Sequence, residues 1–133
     1  MLHREPCAGG IVFDAAGRLL LIRRGHPPAQ GSWSVPGGRC RPGESTPDAC
    51  VREVAEETGL TVIVVRFAGH AELDGPTGSV YDIDDFLCAV VGGSLRAGDD
   101  AEDARWVRRD ELAGLDLAPG LLDALTGWDL LPS

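Results

Sequence analysis

The chain has no lysine. All 12 of its basic residues are arginine, set against 21 aspartates and glutamates, for a formal net charge of -9 over 133 residues. That balance excludes a large nucleic-acid footprint, because phosphate contacts draw on a surplus of cations. It also means that a phosphorylated small molecule is repelled unless something neutralises its site, and a divalent metal is the usual solution. The missing lysine itself follows genome composition more readily than any function. Cysteine is scarce and unpatterned: Cys7, Cys40, Cys50 and Cys88 form no CxxC, and no histidine stands at zinc-finger spacing from them. Structural zinc and a disulfide frame are therefore not expected. Cys50 in a helical pattern and Cys88 in an apolar strand read as small buried hydrophobes. His3, His26 and His70 are scattered, with no ligand-like offset to a carboxylate or thiol. Long hydrophobic runs are missing too, since residues 62–65 and 86–91 fall far short of the roughly 20 that a membrane helix needs. The opening Met1-Leu2-His3-Arg4-Glu5-Pro6 has no apolar h-region, so no secretory signal is expected and the cytoplasm is the expected compartment.

What remains is a globular composition, 44% hydrophobic and 25% charged, at a length that suits one domain over residues 1–133. Residues 8–13 and 18–24 read as strands of a hairpin around an Asp14-Ala15-Ala16-Gly17 turn. A breaker-rich loop follows at 25–32, then a short strand at 33–35 stopped by Pro36-Gly37-Gly38. Residues 46–58 are helical in period, and Gly59 suits the left-handed position that ends a helix. Strands are expected at 61–68, 79–91 and 104–107, a glycine- and acid-rich loop at 92–103, and short helices at 110–113 and 119–125. Strands interleaved with a few helices imply an α/β or α+β sandwich on a mixed sheet.

The helix at 46–58 carries the chemistry. At about 100° per residue, Glu53, Glu56 and Glu57 share an arc of about 100°, while Val51, Val54, Ala55 and Thr58 form a separate apolar face. Arg52 lies beside Glu56, its i,i+4 partner. Like charges on one helical face repel, so the face is either solvated or holds cations. Carboxylate oxygens select hard divalent ions such as Mg²⁺ or Mn²⁺.

The flanks decide between these. The segment reads Gly38-x5-Glu44-x7-Arg52-Glu53-Val54-x-Glu56-Glu57-x-Gly59-Leu60, which resembles the Nudix hydrolase signature GX5EX7REUXEEXGU at every specified position. The lead-in from Gly31 to Gly38 and the late Ala104-Arg105-Trp106-Val107 are also similar to that family. The resemblance implies a Nudix-type α/β/α sandwich on a mixed β-sheet. It further implies hydrolysis of a nucleoside diphosphate linked to another moiety, with Mg²⁺ or Mn²⁺ neutralising the pyrophosphate and activating water. By the same resemblance Glu53, Glu56 and Glu57 are metal ligands, Glu53 acting as ligand or base, and Arg52 orients the carboxylates. Glu44 matches the loop glutamate that binds metal directly or through water, and Gly37 and Gly38 bring backbone close to phosphate oxygens.

The base is a helix glutamate or an acid of a later loop, for which Asp99, Asp100, Glu102 and Asp103 are candidates; Asp100 and Glu102 are also expected to touch substrate. Asp82 and Asp84 share a strand face by period two and meet either substrate or solvent, with Asp85 beside them. Trp33 either stacks on a purine or is a half-buried strand tryptophan. Tyr81 and Phe86 are candidates to line the pocket, Trp106 reads as core, and Trp128 caps the core or a dimer contact. Pro76 stands beyond Leu60 at the spacing of the family's ADP-ribose pyrophosphatases, which makes ADP-ribose the expected substrate and leaves room for a homodimer. A sanitising diphosphatase for nucleotides such as 8-oxo-dGTP is the nearest rival. A non-catalytic nucleotide sensor is the rival of another class, and the undegraded motif argues against it.

Overall fold

The computed structural model describes residues 3–26, 29–98 and 101–133, without the side chain of Glu102, so the expectations placed on Asp99, Asp100 and Glu102 lie outside what is described. Among the described residues, seven strands form two sheets. A mixed sheet runs β4 (Gly37–Arg39), β1 (Arg4–Val12), β6 (Val80–Gly93), β5 (Leu60–Asp74), and a smaller antiparallel sheet runs β3 (Trp33–Ser34), β2 (Leu19–Arg24), β7 (Ala101–Val107). Within the mixed sheet β1 and β6 are parallel, and the other pairs are antiparallel.

The expected hairpin between the first two strands is not formed. The turn is as read: the Asp14 carboxylate accepts from the Ala16 and Arg18 amides, and Gly17 takes φ 79°. Only the bridge between Phe13 and Leu19 follows it. The edges of β1 are taken by β4 and β6, so β2 leaves for the second sheet. The strands at 61–68 and 79–91 extend to Asp74 and Gly93 and pair as one long hairpin. Three register shifts interrupt it, all before Gly69, and pairing is continuous from Gly69 opposite Asp85 to Asp74 opposite Val80. β7 begins at Ala101, earlier than expected; the short helices appear as a 3-10 turn at Arg109–Gly114 and as α2 (Leu121–Gly127).

The helix α1 (Thr46–Thr58) has the bounds its sequence predicts. The Ser45 hydroxyl caps it by accepting from the Asp48 amide, and Gly59 at φ 76° stops it. Its buried face is Ala49, Cys50, Val54 and Thr58, on β1, β6 and β5. Of the expected apolar face Val54 and Thr58 are buried, whereas Val51 is half-buried and Ala55 exposed, because the helix is rolled towards Ala49 and Cys50. Gly10 makes the approach possible, because a Cβ there would come within 2.7 Å of the Val54 side chain. Strand alternation divides the core: Ala8, Val12 and Leu20 join α1, while Ile11, Leu19 and Leu21 face Leu112, Leu125 and Leu130 of the C-terminal segment. The helices thus cover opposite sides of the sheets, an α/β/α arrangement. All four cysteines are free, with Cys50 and Cys88 buried. Among the described residues no helix is long and apolar enough to cross a membrane.

Candidate active site

A cleft of about 1160 Å³ opens between the sheets, on the face of β1 and β6 away from the apolar side of α1. Leu73, Tyr81, Ile83 and Asp85 contribute to its floor, and Gly37, Gly38, Glu53 and Glu57 line its charged side. The glutamates arrive there because α1 presents them on the flank that its apolar face leaves free, and because β4 carries no side chains at Gly37 and Gly38. A Cβ on Gly38 would sit 2.7–2.8 Å from the Glu53 carboxylate, and one on Gly37 would collide with the Ala8 carbonyl.

Arg52 organises this side of the helix. Its Nε and Nη2 donate to the two oxygens of Glu44 at 2.8 and 2.7 Å, a two-pronged pair that a guanidinium suits and an ammonium does not. Its Nη1 donates to Glu53 at 2.8 Å and to Glu56 at 3.2 Å, and Nη2 also reaches the Arg39 carbonyl. The Arg52 guanidinium and the Arg41 amide hold the Glu44 carboxyl down at about 2. Arg52 is in turn held above the usual arginine value, first by its hydrogen bond with Glu44.

None of these bonds goes to Glu57. That carboxylate is 4% exposed, and the Gly37 amide donates to it at 2.9 Å. Burial pushes it up to about 8, and the adjoining Glu53 carboxylate adds to the rise against the opposing influence of Gly37 and Arg24. A buried carboxylate that ionises reluctantly beside another carboxylate lacks positive charge. An oxygen-only donor set with that deficit fits a hard divalent cation.

The structure sorts the remaining expected residues. Glu44 has both oxygens engaged by Arg52 and Arg41, and it does not line the cleft. Glu56 is exposed and does not line the cleft either; it is bonded at 3.2 Å each to Arg41 and Arg52, which do. Trp33 does not face the cleft: it is 6% exposed in the core, its backbone pairs with Asp116 and Ala118, and the Arg105 guanidinium lies 4.9 Å over its ring. Stacking of Trp33 on a purine is therefore corrected, because the C-terminal segment covers the ring. Tyr81 lines the cleft, whereas Phe86 is buried against α1 in edge contact with Phe67. Trp106 and Trp128 pack against the two core clusters, Trp128 over Gly69.

Asp82 and Asp84 share a face, as period two requires, and it is the face opposite the cleft floor. His70 bridges them at 3.3 and 3.1 Å, Arg4 bridges Asp82 and Glu72 at 2.6 and 2.9 Å, and the Thr46 hydroxyl donates to Asp84 at 3.0 Å. His70, Glu72 and Asp82 are grouped closely enough to surround an ion, but they are solvent-accessible and Arg4 already answers two of them. The residue that sequence reasoning missed is Asp85, whose odd place in the alternation was the available signal. It is 8% exposed and lines the cleft.

A NUDIX domain model matches residues 3–125. An ADP-ribose pyrophosphatase of Methanocaldococcus jannaschii is 38% identical over 116 residues, covering 86% of this chain and 68% of that protein. A putative 8-oxo-dGTP diphosphatase 2 of Mycobacterium tuberculosis is 32% identical over 129 residues, covering 96% of this chain and 86% of that one. The crystal structure of a MutT protein from Methanosarcina mazei superposes with a TM-score of 0.83 at 25% identity, over 96% of this chain and 94% of its own. A helix whose Arg52 orders its glutamates, a glycine strand holding Glu57 and these likenesses agree: the chain belongs to the Nudix family of hydrolases.

Proposed function

We propose that this Nudix hydrolase cleaves the pyrophosphate linkage of ADP-ribose to AMP and ribose 5-phosphate, using Mg²⁺ or Mn²⁺. The observation that carries the reaction is Glu57, buried beside Glu53 at the cleft and held by the Gly37 amide. Glu53 and Glu57, with Glu56 turned in from the exposed flank of α1, would hold the cation, and losing the Glu57 proton on binding is the expected linkage. When bound, the ion supplies Lewis acidity at phosphorus and a water of lowered pKa. Arg52 keeps Glu53 aimed at the cleft through its bond of 2.8 Å, and Glu44 acts by locking Arg52 from the other side. The glycine strand lets phosphate oxygens approach the backbone. A cleft of about 1160 Å³ has room for a nucleotide joined to a second sugar phosphate. The M. jannaschii relative supports ADP-ribose as the substrate.

The test is to incubate the purified protein with Mg²⁺ and ADP-ribose, 8-oxo-dGTP, dGTP, NADH or diadenosine polyphosphates and to separate the products. AMP and ribose 5-phosphate, abolished by a chelator, are expected. A nucleoside monophosphate and pyrophosphate from a triphosphate, with ADP-ribose untouched, would replace ADP-ribose by the substrate named for the M. tuberculosis relative.

A further inference from the structure

Asp85 holds one buried carboxylate oxygen that no described residue meets. It is 8% exposed, and among the described residues its Oδ1 is the buried side-chain oxygen or nitrogen without a hydrogen-bond partner. An unmet buried acceptor is costly, and one that native structures keep is completed by water, an ion or a ligand or serves the site's chemistry. The fold has made space for it. Gly9 lies opposite Asp85 in register, and a Cβ on Gly9 would run into Oδ1. Burial pushes the carboxyl up to about 7, with Asp84 adding and His70 opposing. Neutral or ionised, it retains an oxygen that accepts.

Its place relative to the glutamates says what would reach it. Gly9 pairs with Asp85 on one side and with Gly37 on the other, and Gly37 is the residue that holds Glu57. Asp85 therefore stands two strand spacings, roughly 10 Å, across the sheet from the phosphate side of the cleft. A phosphate would be repelled there. The neighbours on the same floor are Tyr81, Ile83 and Leu73, an apolar surface for a planar group with one polar contact.

We infer that Asp85 reads the nucleobase, accepting a hydrogen bond from its exocyclic amine on the cleft floor. This rests on the reading of the cleft as a nucleotide site. It adds a recognition residue that a base without the amine leaves unpaired, which is the strongest form of discrimination available to a polar group.

The experiment compares AMP with IMP, which carries a carbonyl in place of the amine, by titration calorimetry in Mg²⁺. The wild-type protein should bind AMP about tenfold more tightly than IMP, the worth of one hydrogen bond to a charged or strongly polar partner. Asp85→Ala should bring the two within about twofold by weakening AMP. Asp85→Asn, whose amide can turn an N–H towards the inosine carbonyl, should narrow the ratio as well and serves if the alanine variant does not fold. A merely structural role would lower both affinities together and keep the ratio. Equal wild-type affinities, a ratio that survives in both variants, or no binding of either nucleotide would overturn the inference. The ratio behaving as stated without turnover of ADP-ribose would sink the substrate reading alone, and turnover without the ratio would sink Asp85 alone.

Discussion

The carboxylates around Arg52 and those around Arg4 and His70 are both anchored on α1, one through Arg52 itself and the other through Thr46, yet they end in opposite electrostatic states. In the strand cluster every acid has a basic partner: Arg4 serves Glu72 and Asp82, and His70 serves Asp82 and Asp84. Its His70 and Glu72 stand in solvent, 44% and 52% exposed, its aspartates are half-buried, and His70 is held above its usual value first by Asp84. In the helix cluster Arg52 is 17% exposed and is fully engaged by Glu44, Glu53 and Glu56. Glu57 has a backbone amide, a neighbouring carboxylate and only the weaker pull of Arg24 to set against its burial. A density of acids does not make a cation site; negative charge left over where water is scarce does.

The contrast can be broken at several points. Glu57→Gln keeps an acceptor for the Gly37 amide and removes the leftover charge, so turnover should fall on the order of a thousandfold with the fold intact by circular dichroism. Gly38→Ala puts a methyl 2.7–2.8 Å from the Glu53 carboxylate, and displacing that group should lower kcat up to about a hundredfold. Arg52→Lys replaces the fork on Glu44 with a point charge, for a loss in kcat/KM on the order of tenfold.

Asp85→Asn sharpens the point about burial. A carboxyl whose folded pKa is raised holds its proton more tightly in the native state, so its contribution to stability is lost as pH rises from about 3.8 through about 7. The ligand-free melting temperature of the variant should therefore gain on the wild type across that window, by on the order of 10 °C at pH 8, since a rise from about 3.8 to about 7 is worth about 4 kcal/mol. Glu72→Gln should do least, with turnover within about twofold and the melting temperature within about 1 °C. A loss like that of Glu57→Gln would instead move the metal to the strand cluster.

Legibility in the sequence follows how local each cue is. α1 is readable to the residue, because the Ser45 cap, the apolar period and Gly59 lie within it or beside it. The shared arc of Glu53, Glu56 and Glu57 is readable too. Which glutamate turns inward is not: Glu57 is buried and Glu56 exposed because β4 comes to lie over one and not the other. Partner choice is equally remote, and β1 takes β6 from the far half of the chain in preference to the strand that follows it. Trp33 beside a glycine loop suggests a stacking platform, but residues near 116–118 and the C-terminal leucines enclose it. Asp85 is half legible for the same reason: alternation sets it apart from Asp82 and Asp84 but does not say which side becomes the cleft.

The pairing of β5 with β6 bears on how this protein can change over generations. Its three register shifts all precede Gly69; beyond that point each residue of β6 has one fixed partner. Deleting or inserting one residue there would exchange the two faces of the strand, sending Asp84 into the cleft and Asp85 towards His70. Mutation by substitution can retune that stretch one side chain at a time, while changes of length are confined to the earlier part of the ribbon, where bulges already absorb them.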